Sequence, residues 1–157
     1  MNGEELDRIL KRAIGAKYVG VFAADEIQSI LSSRRGDSSS SFCFLANTDL
    51  SNEPGEHWVA FFVVSNCTLE FFDSYGEHPY TYFPHLQLTT HFTNLLYNNQ
   101  KLQKLNSTVC AHYCLYYLYL RVVMNKSLHS IVNSLSLYRT PHPDKIVKSF
   151  FIRLFQK

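Results

Sequence analysis

The chain has 157 residues, 46% hydrophobic and 15% aromatic, a composition that excludes a disordered chain and suits one domain, 1–157, with a real core. A formal charge of +2 gives no basis for an obligatory polyanion-binding role. No run approaches a membrane span, and the polar start Met1-Asn2-Gly3-Glu4-Glu5 does not read as a signal peptide, so an intracellular protein with reduced cysteines is expected.

Leu6, Ile9, Leu10 and Ala13 follow helical spacing up to Gly15, which predicts a helix over 4–14; a second is predicted over 24–31. Residues 34–41 read as a mobile, Ser-rich surface loop, and a solvated loop explains its Arg35-Gly36-Asp37 triplet equally well, so adhesion is not expected. Apolar runs then predict strands over 42–47, 57–64 and 68–73, the last two joined by a turn at Ser65-Asn66. Their nearly continuous apolar character implies a sheet covered on both faces. Residues 77–84 read as a loop and 84–97 as a helix opened by Pro84. A short strand is expected over 101–105, a central hydrophobic helix over 110–124, and two closing helices over 128–135 and 144–155. The expected fold class is α+β, a mixed sheet packed with helices.

Chemistry-bearing residues fall where these segments place them. Cys110 opens the central helix after Asn106-Ser107-Thr108, all of which favour N-caps. The positive end of a helix dipole lowers a thiol's pKa, and unpaired first-turn amides can face a developing oxyanion. A lone cysteine in an apolar helix is more often core packing, and Cys114, one turn further in, reads that way. A metal site of Cys110, His112 and Cys114 fails because His112 leaves their shared face and no second ligand pair follows. His57 leads a buried strand after the turn-rich Asn52-Glu53-Pro54-Gly55-Glu56, at a sheet edge rather than in a core. His112 is the nearest rival as base, although adjacent helical residues diverge by about 100°. Asp73, at the neighbouring strand end, either accepts the second imidazole N–H or simply closes the turn Asp73-Ser74-Tyr75-Gly76. Gln103, seven positions before Cys110, can supply an oxyanion-hole amide, in competition with Gln100 and with a plain exposed role. Thiol, imidazole and carboxylate together are the parts of a Cys-His-Asp nucleophile system.

Four stretches, in order, resemble the adenovirus-type (adenain-like) cysteine proteases of adenoviruses and virus-related Maverick/Polinton elements, in the clan of SUMO-deconjugating proteases. They are residues 6–21, then Asn47-Thr48 with Pro54-Gly55-Glu56-His57-Trp58-Val59-Ala60-Phe61, then Leu69-Glu70-Phe71-Phe72-Asp73-Ser74-Tyr75-Gly76, then Gln103-Lys104-Leu105-Asn106-Ser107-Thr108-Val109-Cys110. Two positions depart from the pattern. Ala111 stands where the family has Gly after the nucleophile, and Asp73 stands where it commonly has Glu, Asp being usual in the SUMO-protease branch.

The resemblance implies a protease fold with Cys110 as nucleophile, His57 as base, Asp73 as its orienter and Gln103 in the oxyanion hole. It implies a monomeric cysteine endopeptidase, in a host nucleus or a virion, acting on capsid or core precursor proteins at glycine-containing sites. No metal is implied, whereas an activating peptide or DNA is a family theme. No cysteine lies between Asp73 and Cys110 to tether such a peptide, so basal activity is expected. DNA stimulation should be at most weak and salt-sensitive, through Lys101, Lys104, Arg121, Lys126, Arg139, Lys145 and Lys148. The alternatives are a deconjugating protease for a ubiquitin-like modifier, and a catalytically impaired binding module, for which Ala111 is the support.

Overall fold

The computed structural model describes residues 1–34 and 40–156. Arg35-Gly36-Asp37 and most of the expected Ser-rich loop lie outside the described residues. Helix α1 (Gly3–Ile14) starts where the Asn2 side chain accepts the Glu5 N–H at 2.8 Å, with Glu4 and Glu5 in its first turn and Lys11 and Arg12 in its last. It buries Leu6 and Leu10. Strand β1 (Tyr18–Phe22) follows, then a 3₁₀ turn (Ala24–Glu26) running into α2 (Ile27–Ser33). Strands β2 (Phe42–Asn47), β3 (Trp58–Ser65) and β4 (Thr68–Phe72) form the centre of the sheet, with the tight turn at Asn66-Cys67.

Two short helical turns, α3 (Pro79–Tyr82) and α4 (Leu88–His91), lead to β5 (Asn94–Tyr97). Helix α5 (Cys110–Leu118) widens into a π-helical turn at Tyr119–Val123, and α6 (Leu128–Ser136) and α7 (Pro143–Phe155) complete the chain. The sheet order is β1-β2-β3-β4-β5, with antiparallel pairs at its centre and parallel pairs at both edges. The fold is α+β with a mixed sheet.

Period-two alternation sorts the strand side chains onto two faces. Cys43, Leu45, Ala60, Phe62 and Phe72 face α1, α5, α6 and α7, where Tyr117 stacks on Phe72 at 4.7 Å between ring centres. Phe44, Ala46, Val59, Phe61 and Phe71 face α2 and the segment 83–92, with Phe44 stacked on Phe61 at 4.9 Å. Both faces are therefore covered, which is why β3 and β4 carry no polar alternation. Glu70 is the buried exception. Tyr117 donates to it at 2.7 Å and Arg121 grips it through Nε and the guanidinium NH2 group at 2.9 to 3.2 Å. Arg121 is thus committed to the core side of the sheet and leaves the set of basic residues expected to meet phosphate.

Several expectations are corrected. No helix spans 84–97: only the single turn α4 forms, and the open edge of β4 offers 94–97 a parallel ladder, Thr68↔Asn94 to Phe71↔Tyr97. No strand forms over 101–105, because the N–H groups of Leu102 and Gln103 both donate to the one carbonyl of Ser74, at 2.9 and 3.0 Å. The loop expected over 77–84 contains the α3 turn, started by His78, whose Nδ1 accepts the Tyr80 N–H at 3.1 Å. Strand β1 carries no clear sequence signal, because five residues broken by Gly20 show little periodicity. Finally, none of Asn106, Ser107 and Thr108 caps α5. Val109 occupies that position without a side-chain hydrogen bond.

Candidate active site

The start of α5 lies against the sheet where β3 begins and β4 ends. His57 directly precedes β3 and Asp73 directly follows β4, and these strands are antiparallel neighbours, so both residues reach the same end of the sheet. His57 Nε2 and Asp73 Oδ1 are 2.6 Å apart. The other ring nitrogen, Nδ1, is not taken by Asp73, and the Cys110 thiol lies near enough to interact with the His57 side chain. Three of the four residues singled out from the sequence thus come together at one end of the sheet, carboxylate on imidazole with the thiol beside it.

The electrostatics run in one direction. Burial disfavours the imidazolium of His57, but the hydrogen bonds to Asp73 and Cys110, and the charges of both, outweigh it and push His57 up to about 9. Burial likewise raises the Cys110 thiol, yet the hydrogen bond with His57, the Trp58 N–H, the His57 charge and the Ala111 N–H together hold it below its ordinary value. Because α5 has no side-chain cap, its first amides stay available to a thiolate. Both shifts run in the direction of a thiolate–imidazolium pair.

Asp73 is fully buried and saturated with donors. Oδ1 also accepts the Tyr75 N–H at 3.2 Å, while Oδ2 accepts the Glu77 N–H and the Tyr82 hydroxyl, each at 3.0 Å. The rings of Tyr75 and Tyr82 lie 4.9 and 5.5 Å from the His57 ring and flank it. Asn98 holds the Asp73 main chain: its Oδ1 accepts the Asp73 N–H at 3.0 Å and its Nδ2 donates to the Asp73 carbonyl at 2.6 Å.

Two glycines permit the turns that aim these groups. Gly76, at φ 74°, sits so close to the chain at Gln100 that a Cβ would lie 2.6 Å from its carbonyl carbon. Gly55, at φ 83°, leaves a Cβ only 2.6 Å from Asn47 Nδ2, while Asn47 Oδ1 accepts the Asp49 N–H at 2.9 Å and fixes the loop before His57.

Gln103 is 2% exposed rather than a surface side chain. Its carbonyl accepts the Ser74 hydroxyl at 2.7 Å and its amide donates to the Ser107 carbonyl at 2.6 Å. A primary amide carries two N–H donors, so one remains beyond the Ser107 bond. Tyr113, in α5, holds the same loop: its hydroxyl lies 3.0 Å from the Leu102 carbonyl and 2.8 Å from Asp144 Oδ1. Gln100, the rival amide, contributes main chain to the packing around Gly76.

The rival groups lie elsewhere. Cys114 is buried, its thiol donates to the Trp58 carbonyl at 3.3 Å, and burial first, then the charges of Cys110 and Asp73, push it well above the ordinary thiol value. His112 turns toward α7 and packs edge-on against Phe151 at 5.1 Å, where burial lowers it. Among the described residues no group of three or more His, Cys, Asp or Glu can hold a metal ion, and no helix is long and apolar enough to cross a membrane. Sequence reasoning missed Asn98, Tyr75 and Tyr82. The helix expected over 84–97 hid the first, since only a strand ending at Tyr97 delivers Asn98 to Asp73.

Comparison with known proteins bears on the fold. No family model and no curated protein matches the sequence. Among solved structures, the ASFV pS273R protease superposes with a TM-score of 0.58 at 21% identity over 94% of this chain and 66% of that one. The central domain of the uncharacterized Lpg1148 protein from Legionella pneumophila gives a TM-score of 0.60 at 13% identity, over 100% of this chain and 98% of that one. An AvrA deletion variant with IP6 and CoA gives 0.51 at 15% identity, over 85% and 53%. The chain therefore shares its fold with a viral protease, while spanning just under two thirds of that protease's length.

Proposed function

We propose that this protein is a cysteine endopeptidase and that Cys110, His57 and Asp73 are its nucleophile, base and orienting carboxylate. The observation that carries the reading is the 2.6 Å contact of Asp73 with His57, beside a Cys110 thiol that interacts with the same imidazole at an uncapped helix start. The thiolate attacks a peptide carbonyl. The resulting oxyanion meets the Cys110 N–H and the second Gln103 N–H. As the tetrahedral species collapses, the C–N bond breaks and the imidazolium gives its proton to the leaving amine, which leaves a thioester on Cys110. Neutral His57 then takes a proton from water, which attacks the thioester; the C–S bond breaks, the acid product departs, and the thiolate and the imidazolium are restored.

The likeness in fold to a viral protease supports peptide-bond hydrolysis, and the resemblance to adenovirus-type enzymes supports precursor proteins of an adenovirus-like virus or element, cut at glycine-containing sites. A ubiquitin-like precursor is the alternative substrate, since Asp73 occurs in the place usual for that branch. The test incubates purified protein, under reducing conditions, with a glycine-containing peptide and with a ubiquitin-like precursor, each with and without a thiol alkylator. Alkylator-sensitive cleavage of the peptide supports the reading, cleavage of the precursor alone supports the alternative, and cleavage of neither removes both.

A further inference from the structure

The parallel ladder between β4 and β5 ends at Phe71↔Tyr97. Beyond it the β4 chain turns back, with the Gly76 N–H donating to the Asp73 carbonyl at 3.0 Å, so main-chain pairing with β5 stops. The Asn98 side chain supplies the missing rung. Its Oδ1 takes the Asp73 N–H at 3.0 Å and its Nδ2 gives to the Asp73 carbonyl at 2.6 Å, which fixes Asp73 from both sides of its Cα. Asn98 is 5% exposed, so water cannot easily replace either bond. The fit needs a donor and an acceptor on one short planar group. Aspartate lacks the donor, leucine lacks both, and glutamine is one methylene too long.

With its backbone held, Asp73 can aim Oδ1 at His57 by side-chain rotation alone. We infer that Asn98 is a positioning residue of this site, one that acts on the Cys110–His57 pair through Asp73, its longer 3.4 Å bond to the Gln100 carbonyl being secondary; the inference rests on the nucleophile assignment proposed above. It explains why a buried amide sits immediately after an exposed edge strand, where packing alone would select an apolar residue.

The test measures the rate at which iodoacetamide alkylates Cys110 across pH, by intact mass, in a Cys67→Ser background. The acid limb of that profile reports the thiolate held by His57 and needs no substrate. Asn98→Ala should move the limb up by about one pH unit, roughly tenfold slower labelling on the acid side. Asp73→Asn should move it the same way, and the double variant should match Asp73→Asn within about twofold, because the effects share one route. Asn98→Ser, which keeps a short polar group, carries the same comparison with a smaller shift if the alanine variant melts below the assay temperature. An unmoved limb, or a double variant whose shift is the full sum of the two, overturns the inference. If wild-type Cys110 labels like an ordinary thiol, the nucleophile assignment falls and this inference with it. A protein that labels in acid yet cleaves no peptide removes only the protease reading.

Discussion

Asp73 Oδ1 lies 2.6 Å from His57 Nε2, which leaves Nδ1 as the ring nitrogen open to another partner. The carboxylate therefore fixes the imidazole tautomer and stabilises its charged form without touching Cys110. Replacing Asp73 by Asn keeps a group that can accept a hydrogen bond but removes the charge. Asp73→Asn should retain part of the activity, whereas His57→Ala should lose it as completely as a Cys110 variant. Total loss on Asp73→Asn in a folded protein would give Asp73 more than an orienting role.

The same pair predicts a pH dependence of stability. His57 is raised from 6.5 to about 9 on folding, so its contribution is fully present below about 6.5 and is lost as pH rises through about 9. The melting temperature of Asp73→Asn should fall furthest below wild type near pH 6, and the gap should narrow toward pH 10. A gap that widens with pH contradicts the assignment.

Thiol labelling separates the four cysteines. Cys114 is pushed well up and Cys43 up to about 12, both chiefly by burial, whereas Cys110 is lowered by its partners. Cys67 is exposed, and hydrogen bonds from Ser65 and Thr68 lower it too, so it will compete for reagent and must be replaced by serine first. In that background Cys110 should label first and Cys114→Ala should keep most of the activity. Preferential labelling of Cys114 would refute the site.

Gln103 has two tasks that one substitution disturbs together. Gln103→Ala should cut turnover by about 10²-fold, the scale of a lost oxyanion donor, with little change in KM. It should also lower the melting temperature, because the Ser74 hydroxyl and the Ser107 carbonyl both lose a buried partner. A variant that melts lower yet turns over within twofold of wild type leaves Gln103 a purely structural residue.

Much of this arrangement was legible in the sequence. The strands around β3 and β4, the central helix and the order His57, Asp73, Cys110 follow from apolar runs and from the polar residues at their ends. What stayed hidden depends on partners distant in sequence. Residues 94–97 become a strand only because β4 offers an open edge, and Asn98 matters only because that strand ends beside Asp73. The N-cap expectation failed for a related reason: Asn106, Ser107 and Thr108 suit a cap by type, but Val109 takes the position and the helix start stays open to the thiol. Gly76 read only as a turn residue, although it is required by the approach of the chain at Gln100.

That approach carries a stability prediction. Gly76→Ala combines a positive φ, which costs about 1–2 kcal/mol for a residue with a Cβ, with a contact to main chain that cannot swing away. Gly55→Ala faces the Asn47 side chain instead, which can yield. Chemical denaturation should show Gly76→Ala as the more destabilised of the two; equal loss would mean that φ alone decides both.

The central claim is that Cys110 forms a covalent acyl-enzyme. Its most direct test is acid-quenched intact-mass analysis of the Cys67→Ser protein, mixed with an activated ester of a glycine-terminated peptide. The account predicts one acyl adduct on Cys110, accumulating in a burst and then turning over, and no adduct in Cys110→Ala. An adduct on any other residue, or equal hydrolysis by Cys110→Ala, contradicts it.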